Sequence, residues 1–147
     1  MSVYFAYGSN LDREQMRRRC PGAVLLARAT MSGYRLAFTG YSRVWQGPVA
    51  TILPEPGTQV EGVLYRLAPG ELRVLDRYEG HPRSYRRYRR IVRDARGQRH
   101  RAHVYVLPPD GELTFPSIPY LSVIWRAYQR FGFDQRVLRE AAFGDVA

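Results

Sequence analysis

The sequence predicts a mixed α/β fold of the α+β kind, with a curved sheet and helices interspersed along it. Two observations carry this expectation. Apolar and aromatic runs of strand length, separated by glycine- and proline-rich turns, fill the middle of the chain. Segments at 13–19, 71–78, 120–131 and 134–142 instead carry helix-end residues or space their apolar residues for one helical face. With 147 residues, 45% of them hydrophobic, and no internal repeat or linker, the chain is expected to form one domain over 1–147.

In order, residues 3–6 read as a strand that breaks at Gly8. Asp12 with Gln15 three residues on has the form of a capping box, so a helix is expected over 13–19, ended by Pro21-Gly22. Strands are expected at 23–29 and 34–38, followed by an irregular loop over 39–48 that carries Trp45. A strand at 49–53 stops at the turn Pro54-Glu55-Pro56-Gly57, and another covers 60–67. Leu72, Leu75 and Tyr78 then recur at three-residue spacing, which predicts a short helix with Gly80 just past its end. Residues 85–93 and 99–107 flank 94–98 as a β-hairpin. Leu121, Ile124, Trp125 and Tyr128 line one face of a later helix, and Asp134 caps a final one.

Composition narrows the function classes. The net charge is +10 and every basic residue apart from three histidines is arginine. With no lysine, neither Schiff-base chemistry nor a phosphate-loop lysine is available. One cysteine, Cys20, permits no internal disulfide and suits a reducing compartment as a buried, inert thiol. The chain opens directly on the first strand with no leader pattern, and no apolar stretch is long enough to span a bilayer, so a cytoplasmic protein is expected. His100 and His103 fall on opposite faces of a strand with no ligand set around them, so no metal is expected. Ser9 lacks the Gly-x-Ser-x-Gly elbow of a hydrolase nucleophile.

Three features bear on chemistry. The strand-to-helix corner at Tyr7-Gly8-Ser9-Asn10-Leu11 leaves backbone N–H groups pointing outward, with a helix dipole behind them, and suits a carboxylate or phosphate; it also suits an ordinary corner. Glu79 closes the helix before Gly80, where the dipole and burial both raise a carboxyl pKa into the range of a proton-transfer group. A surface pairing with Arg77 or Arg83 would lower it instead. Finally, arginines at 83, 86, 87, 89, 90, 93, 96, 99 and 101 interleave with Tyr85 and Tyr88. Such a run suits a single-stranded nucleic-acid surface, or an exposed edge strand kept soluble by charge.

Four motifs in order resemble the γ-glutamylcyclotransferase-like family, which includes the γ-glutamylamine cyclotransferases and AIG2-like proteins. They are Tyr4-Phe5-Ala6-Tyr7-Gly8-Ser9-Asn10-Leu11, Trp45-Gln46-Gly47-Pro48-Val49-Ala50-Thr51-Ile52, Leu75-Asp76-Arg77-Tyr78-Glu79-Gly80 with Tyr85 beyond it, and Ser117-Ile118-Pro119-Tyr120. The resemblance covers most of the chain. It implies a small closed or nearly closed β-barrel with flanking helices, a small γ-glutamyl substrate and no cofactor. It also implies that Glu79 is the catalytic glutamate, that Tyr7, Gly8, Ser9, Asn10 and Leu11 form the substrate loop, and that Tyr85 and Tyr120 lie near the substrate. The reaction it implies is ring closure of a γ-glutamyl amino acid or amine to 5-oxoproline with release of the amine. The arginine-rich hairpin departs from the family's usual composition. Two other readings stay open: a same-fold enzyme acting on a γ-glutamylated biosynthetic intermediate, and a nucleic-acid-binding protein using residues 83–101.

Overall fold

The computed structural model describes residues 2–144; residue 1 and residues 145–147 of the expected domain lie outside the described residues. Five strands close into a barrel in the order β1-β3-β2-β4-β5: β1 Ser2–Ala6, β2 Val24–Ser42, β3 Gly47–Leu67, β4 Arg86–Asp94 and β5 Arg99–Val106. Around it stand α1 Arg13–Arg19, α2 Glu71–Glu79, α3 Ile118–Phe131 and α4 Gln135–Phe143. This is the mixed fold and barrel expected. The barrel closes where β1 lies parallel to β5, Tyr4 opposite His103; the other pairs are antiparallel. No helix among the described residues is long and apolar enough to cross a membrane.

The main departure from expectation is in the middle of the chain. The four short strands expected between 23 and 67 are two long ones, β2 and β3, paired along most of their length. The breakers do not stop the strands; they bend them. Gly33, at φ +85, sits where the register jumps from Ser32 opposite Gln59 to Tyr34 opposite Pro54. Thr58 Oγ1 donates towards Tyr34 O and Glu55 O, at 2.9 and 2.8 Å, and holds the irregularity together. The expected loop over 39–48 shrinks in the same way: β2 runs to Ser42 and β3 restarts at Gly47. Long, bulged strands are what a small barrel requires, because closure needs strong local curvature.

On the strands Phe5, Phe38, Val63, Leu64, Ala102 and Val104 are fully buried. The strands come close enough to pack because Gly62 has no side chain. A Cβ there would overlap Ala6 O and lie 2.7 Å from Phe5 Cζ. Outside, α3 packs on the turn that follows β1 and α4 packs on β2. Strand β4 pairs with β2 only at Ala29–Asp94 and Thr30–Arg93, leaving the arginine-rich edge before Val92 open. Charge on an open edge discourages pairing with another chain. Arg90 stacks over Tyr88 at 4.8 Å, and Arg87 is tied to Asp76 at 2.9 Å.

Gly62→Ala is expected to destabilise the fold by about 2–3 kcal/mol, since backbone and a buried ring must both move. A lowered urea midpoint with an unchanged m-value checks this.

Candidate active site

Seven segments of the chain line one pocket. Tyr4 comes from β1 and Tyr7 from just beyond it. Gly8, Ser9 and Asn10 form the following turn. Ala50 comes from β3, Glu79 is the last residue of α2, Tyr85 precedes β4, Tyr105 lies on β5, and Tyr120 is in the first turn of α3. Glycine at position 8 is a matter of room and not of handedness. Its φ is −111, but a Cβ would lie 3.1 Å from Ala50 Cβ and 3.7 Å from the Tyr120 hydroxyl. The C-terminus of α2 forms as its sequence dictates. Gly80 takes the left-handed conformation at φ 68 and its N–H caps carbonyls of the last turn, leaving Glu79 as the final helical residue.

Asn10 organises the site. Its Oδ1 accepts from Gln15 Nε2 at 2.9 Å and Arg19 at 3.2 Å, which fixes the amide so that Nδ2 faces the Tyr4 hydroxyl at 3.0 Å and Glu79 Oε1 at 3.5 Å. Gln15 Nε2 also donates to Ser9 Oγ at 2.8 Å. Ser9 is therefore held as part of the turn, consistent with its lacking a nucleophile's motif. On the opposite wall both backbone groups of Ala50 are clamped by tyrosines. Its N–H donates to Tyr120 Oη at 2.9 Å, and its carbonyl accepts from Tyr85 at 2.6 Å. Tyr7 donates to the Tyr105 carbonyl, and Tyr105 to Asp76 at 2.7 Å.

The electrostatics follow from burial. The Glu79 side chain is 15% exposed, and desolvation pushes its carboxyl up to about 7 against a lowering influence from Arg19, 3.9 Å away. Arg77 and Arg83, the partners that would have lowered it, make no ion pair with it. His81 accepts the Arg87 N–H at 3.1 Å through Nδ1. Burial, reinforced by the Glu79 charge, raises Tyr4, Tyr7, Tyr85 and Tyr120, so their hydroxyls keep their protons at neutral pH. The pocket thus holds one carboxyl able to exchange a proton near neutrality, inside a cage of neutral hydroxyls.

Two expectations about the turn need correction. Leu11 does not line the pocket: its side chain is fully buried and its N–H donates to Gly8 O at 3.0 Å. Residues Ser9–Leu11 form a 3₁₀ turn, so the amides of Ser9 and Asn10 are the ones without an acceptor inside it. Nor does α1 offer its N-terminus to a ligand, because the Asp12 carboxylate already takes the Gln15 N–H at 3.3 Å. The Gln15 side chain does not return to Asp12 as a full capping box would; it turns towards Ser9 and Asn10.

Sequence reasoning brought Tyr7, Gly8, Ser9, Asn10, Glu79, Tyr85 and Tyr120 to the pocket. It missed Tyr4, Gln15, Arg19, Ala50 and Tyr105. Gln15 carried a signal, read only as a cap. Tyr105 carried none, since its place depends on the pairing of β5 with β4 opposite Arg87. Among the described residues no group of three or more His, Cys, Asp or Glu could hold a metal ion. His100 pairs with Asp94 at 2.7 Å, and His103 lies beside Arg87.

The family model for "Gamma-glutamyl cyclotransferase, AIG2-like" proteins matches residues 4–126, which include every pocket residue named above. The chain belongs to that family. A curated γ-glutamylcyclotransferase from Bos taurus is 39% identical over 82 residues, covering 53% of this chain and 44% of the relative. The chain thus matches less than half the length of that relative. A solved γ-glutamyl cyclotransferase superposes with a TM-score of 0.87 at 28% identity, over 95% of this chain and 85% of the other. A human protein described as uncharacterized does so with the same score at 27% identity, over 99% and 90%. Both solved structures therefore share this overall fold.

The raised Glu79 pKa is also a statement about stability. The folded group holds its proton up to about 7 and the ordinary value is 4.5. Between those values the folded state binds more protons, so stability falls as pH rises through the window. Glu79→Gln is expected to raise stability by about 1–3 kcal/mol at pH 8 and to leave it nearly unchanged at pH 4. Urea unfolding of both proteins at the two pH values measures this.

Proposed function

We propose that the chain is an intramolecular cyclotransferase that converts a γ-glutamyl amino acid or γ-glutamyl amine to 5-oxoproline and a free amine. The observation that carries this reading is Glu79 itself: one buried carboxyl, aimed by Asn10 and poised near neutrality, in a tyrosine-lined pocket. Family membership supports it.

The substrate brings its own nucleophile. Its α-amine attacks its own γ-carbonyl carbon, a C–N bond closes the five-membered ring, and the bond from that carbon to the original amide nitrogen breaks. No serine or cysteine nucleophile is required; the site must curl the chain and move protons. Glu79 takes a proton from the α-ammonium and, after attack, the second proton that the ring nitrogen must lose. It passes both in turn to the departing nitrogen, which leaves as an ammonium, so the carboxylate is regenerated at the end of the cycle. A group titrating near neutrality suits both transfers. The free amides of Ser9 and Asn10 hold the α-carboxylate or the oxyanion that develops on the γ-carbonyl, and the Gly8 opening lets substrate reach that backbone. Tyr85 and Tyr120 orient the glutamyl chain with ring and hydroxyl. The compartment proposed is the reducing cytoplasm, which suits the single cysteine, Cys20, buried and with its thiol pushed up to about 11 by desolvation.

Glu79→Gln keeps the shape of the site and removes the base. Release of 5-oxoproline from γ-glutamyl-L-alanine is expected to fall by about 100-fold or more. A rate near that of the unaltered protein would overturn the role assigned to Glu79. Protonating the base also switches the enzyme off, so kcat/KM is expected to drop as pH is lowered through about 7. A pH–rate profile with its acidic limb near 4.5 would count against the buried, raised carboxyl.

A further inference from the structure

The pocket opens into a second cavity of about 600 Å³, with Ser9, Glu79, Tyr85 and Tyr120 common to both. Its lining is unusual in two ways. The cavity gathers apolar side chains the fold leaves bare: Tyr41 is 70%, Val44 87% and Tyr78 56% exposed, and Trp45 also lines it, with its ring 5.0 Å from that of Tyr120. The turn between β2 and β3 supplies Val44 and Trp45. The lining also carries Arg19, Arg77 and Arg83, with Glu79 as its single acidic residue. Arg19 is engaged, donating to Asn10 and stacking over Tyr78 at 4.5 Å. The side chains of Arg77 and Arg83 make no hydrogen bond or ion pair among the described residues.

Resting on the cyclotransferase reading, we infer that this cavity is the leaving-group subsite. The structure assigns to it γ-glutamyl compounds whose departing amine carries both a bulky apolar or aromatic side chain and a carboxylate. The geometry leaves little choice of direction. Glu79 must reach the departing nitrogen, and it stands at the junction of the two spaces. The inner pocket is small and lined by tyrosines and the clamped Ala50 backbone, whereas the adjoining cavity is far larger, so whatever lies beyond the scissile bond extends into that cavity. A cavity of this size holds a complete amino acid side chain with room to spare. Bare aromatic and aliphatic groups gain by covering it. Two unpaired guanidinium groups select a carboxylate, to which arginine donates strong, charge-assisted hydrogen bonds. A neutral or cationic departing amine satisfies neither arginine. Arg77, Arg83, Tyr41 and Val44 are accordingly specificity-determining residues.

The test compares kcat/KM for γ-glutamyl-L-phenylalanine, γ-glutamyl-phenethylamine, which lacks only the carboxylate, and γ-glutamylglycine, which lacks only the benzyl group. The phenylalanine compound is expected to exceed each of the others by about tenfold or more. In Arg77→Gln/Arg83→Gln the ratio of phenylalanine to phenethylamine substrate is expected to fall to about threefold or less, and in Tyr41→Ser/Val44→Ser the ratio of phenylalanine to glycine substrate to do the same. Comparable kcat/KM for all three substrates in the unaltered protein would overturn the inference while leaving the cyclotransferase reading standing. So would ratios that persist in the variants. No 5-oxoproline from any of the three would overturn both.

Discussion

Removing a carboxyl from water without giving it a full ion pair is the constraint around which this chain is arranged. Glu79 ends α2 facing a pocket of tyrosines, and its nearest cation, Arg19, stands 3.9 Å away and shares its charge with Asn10 and the Tyr78 ring. A close bidentate partner would hold the carboxyl ionised. Full burial without a donor would hold it protonated. The arrangement found lies between, with desolvation the larger influence, and leaves the group poised near 7. Such a state costs folding free energy, which the surrounding core must offset.

That poise depends on positioning from several directions. Gly80 stops α2 so that Glu79 is its last residue. Glu71, at the other end of the same helix, accepts the Gly22 N–H at 2.7 Å and the Ala68 N–H at 2.8 Å, tying the chain beyond α1 to the start of α2. Because Arg19 lies at the end of α1, this clamp also sets where the cation falls relative to the carboxyl. Asn10 comes from a turn packed beneath α3, and Tyr120 opens α3 itself. The barrel contributes rigidity: Ala50, pinned through both its backbone groups, is a fixed wall and not a mobile loop.

Arginine is spread unevenly in its consequences. Arg86, Arg89 and Arg90 lie on the part of β4 that does not pair with β2, where charge discourages edge-to-edge association. Arg87 is drawn into the Asp76 and Tyr105 network behind the pocket. A few others, on and just after α2, face the cavity that continues from the site. An identical side chain thus has three roles, set by whether it faces solvent, a carboxylate or the cavity beside the site.

Local chemistry made much of this legible from residues alone. The helix ends at Gly80 and Asp134, the hairpin of β4 and β5, and the turn after β1 all rest on contacts within a few residues, so short-range reasoning reaches them. The same reasoning marked Glu79 as a group whose pKa environment mattered, and the order of four motifs carried the family. Tertiary structure decided the rest. Whether Pro54 and Gly33 end strands or bend them depends on pairing partners twenty or so residues away, because a bulge needs a neighbour strand to be a bulge at all. Whether Glu79 met Arg77, Arg83 or Arg19 depended on how α1 packs against α2. Tyr105 reached the pocket only through barrel closure. Leu11, adjacent in sequence to the binding turn, was turned inward by a single 3₁₀ hydrogen bond. The sequence by itself determined which groups were available and where the chain must turn; desolvation, which turns a helix-end glutamate into a proton-transfer group, exists only once distant segments have excluded water around it.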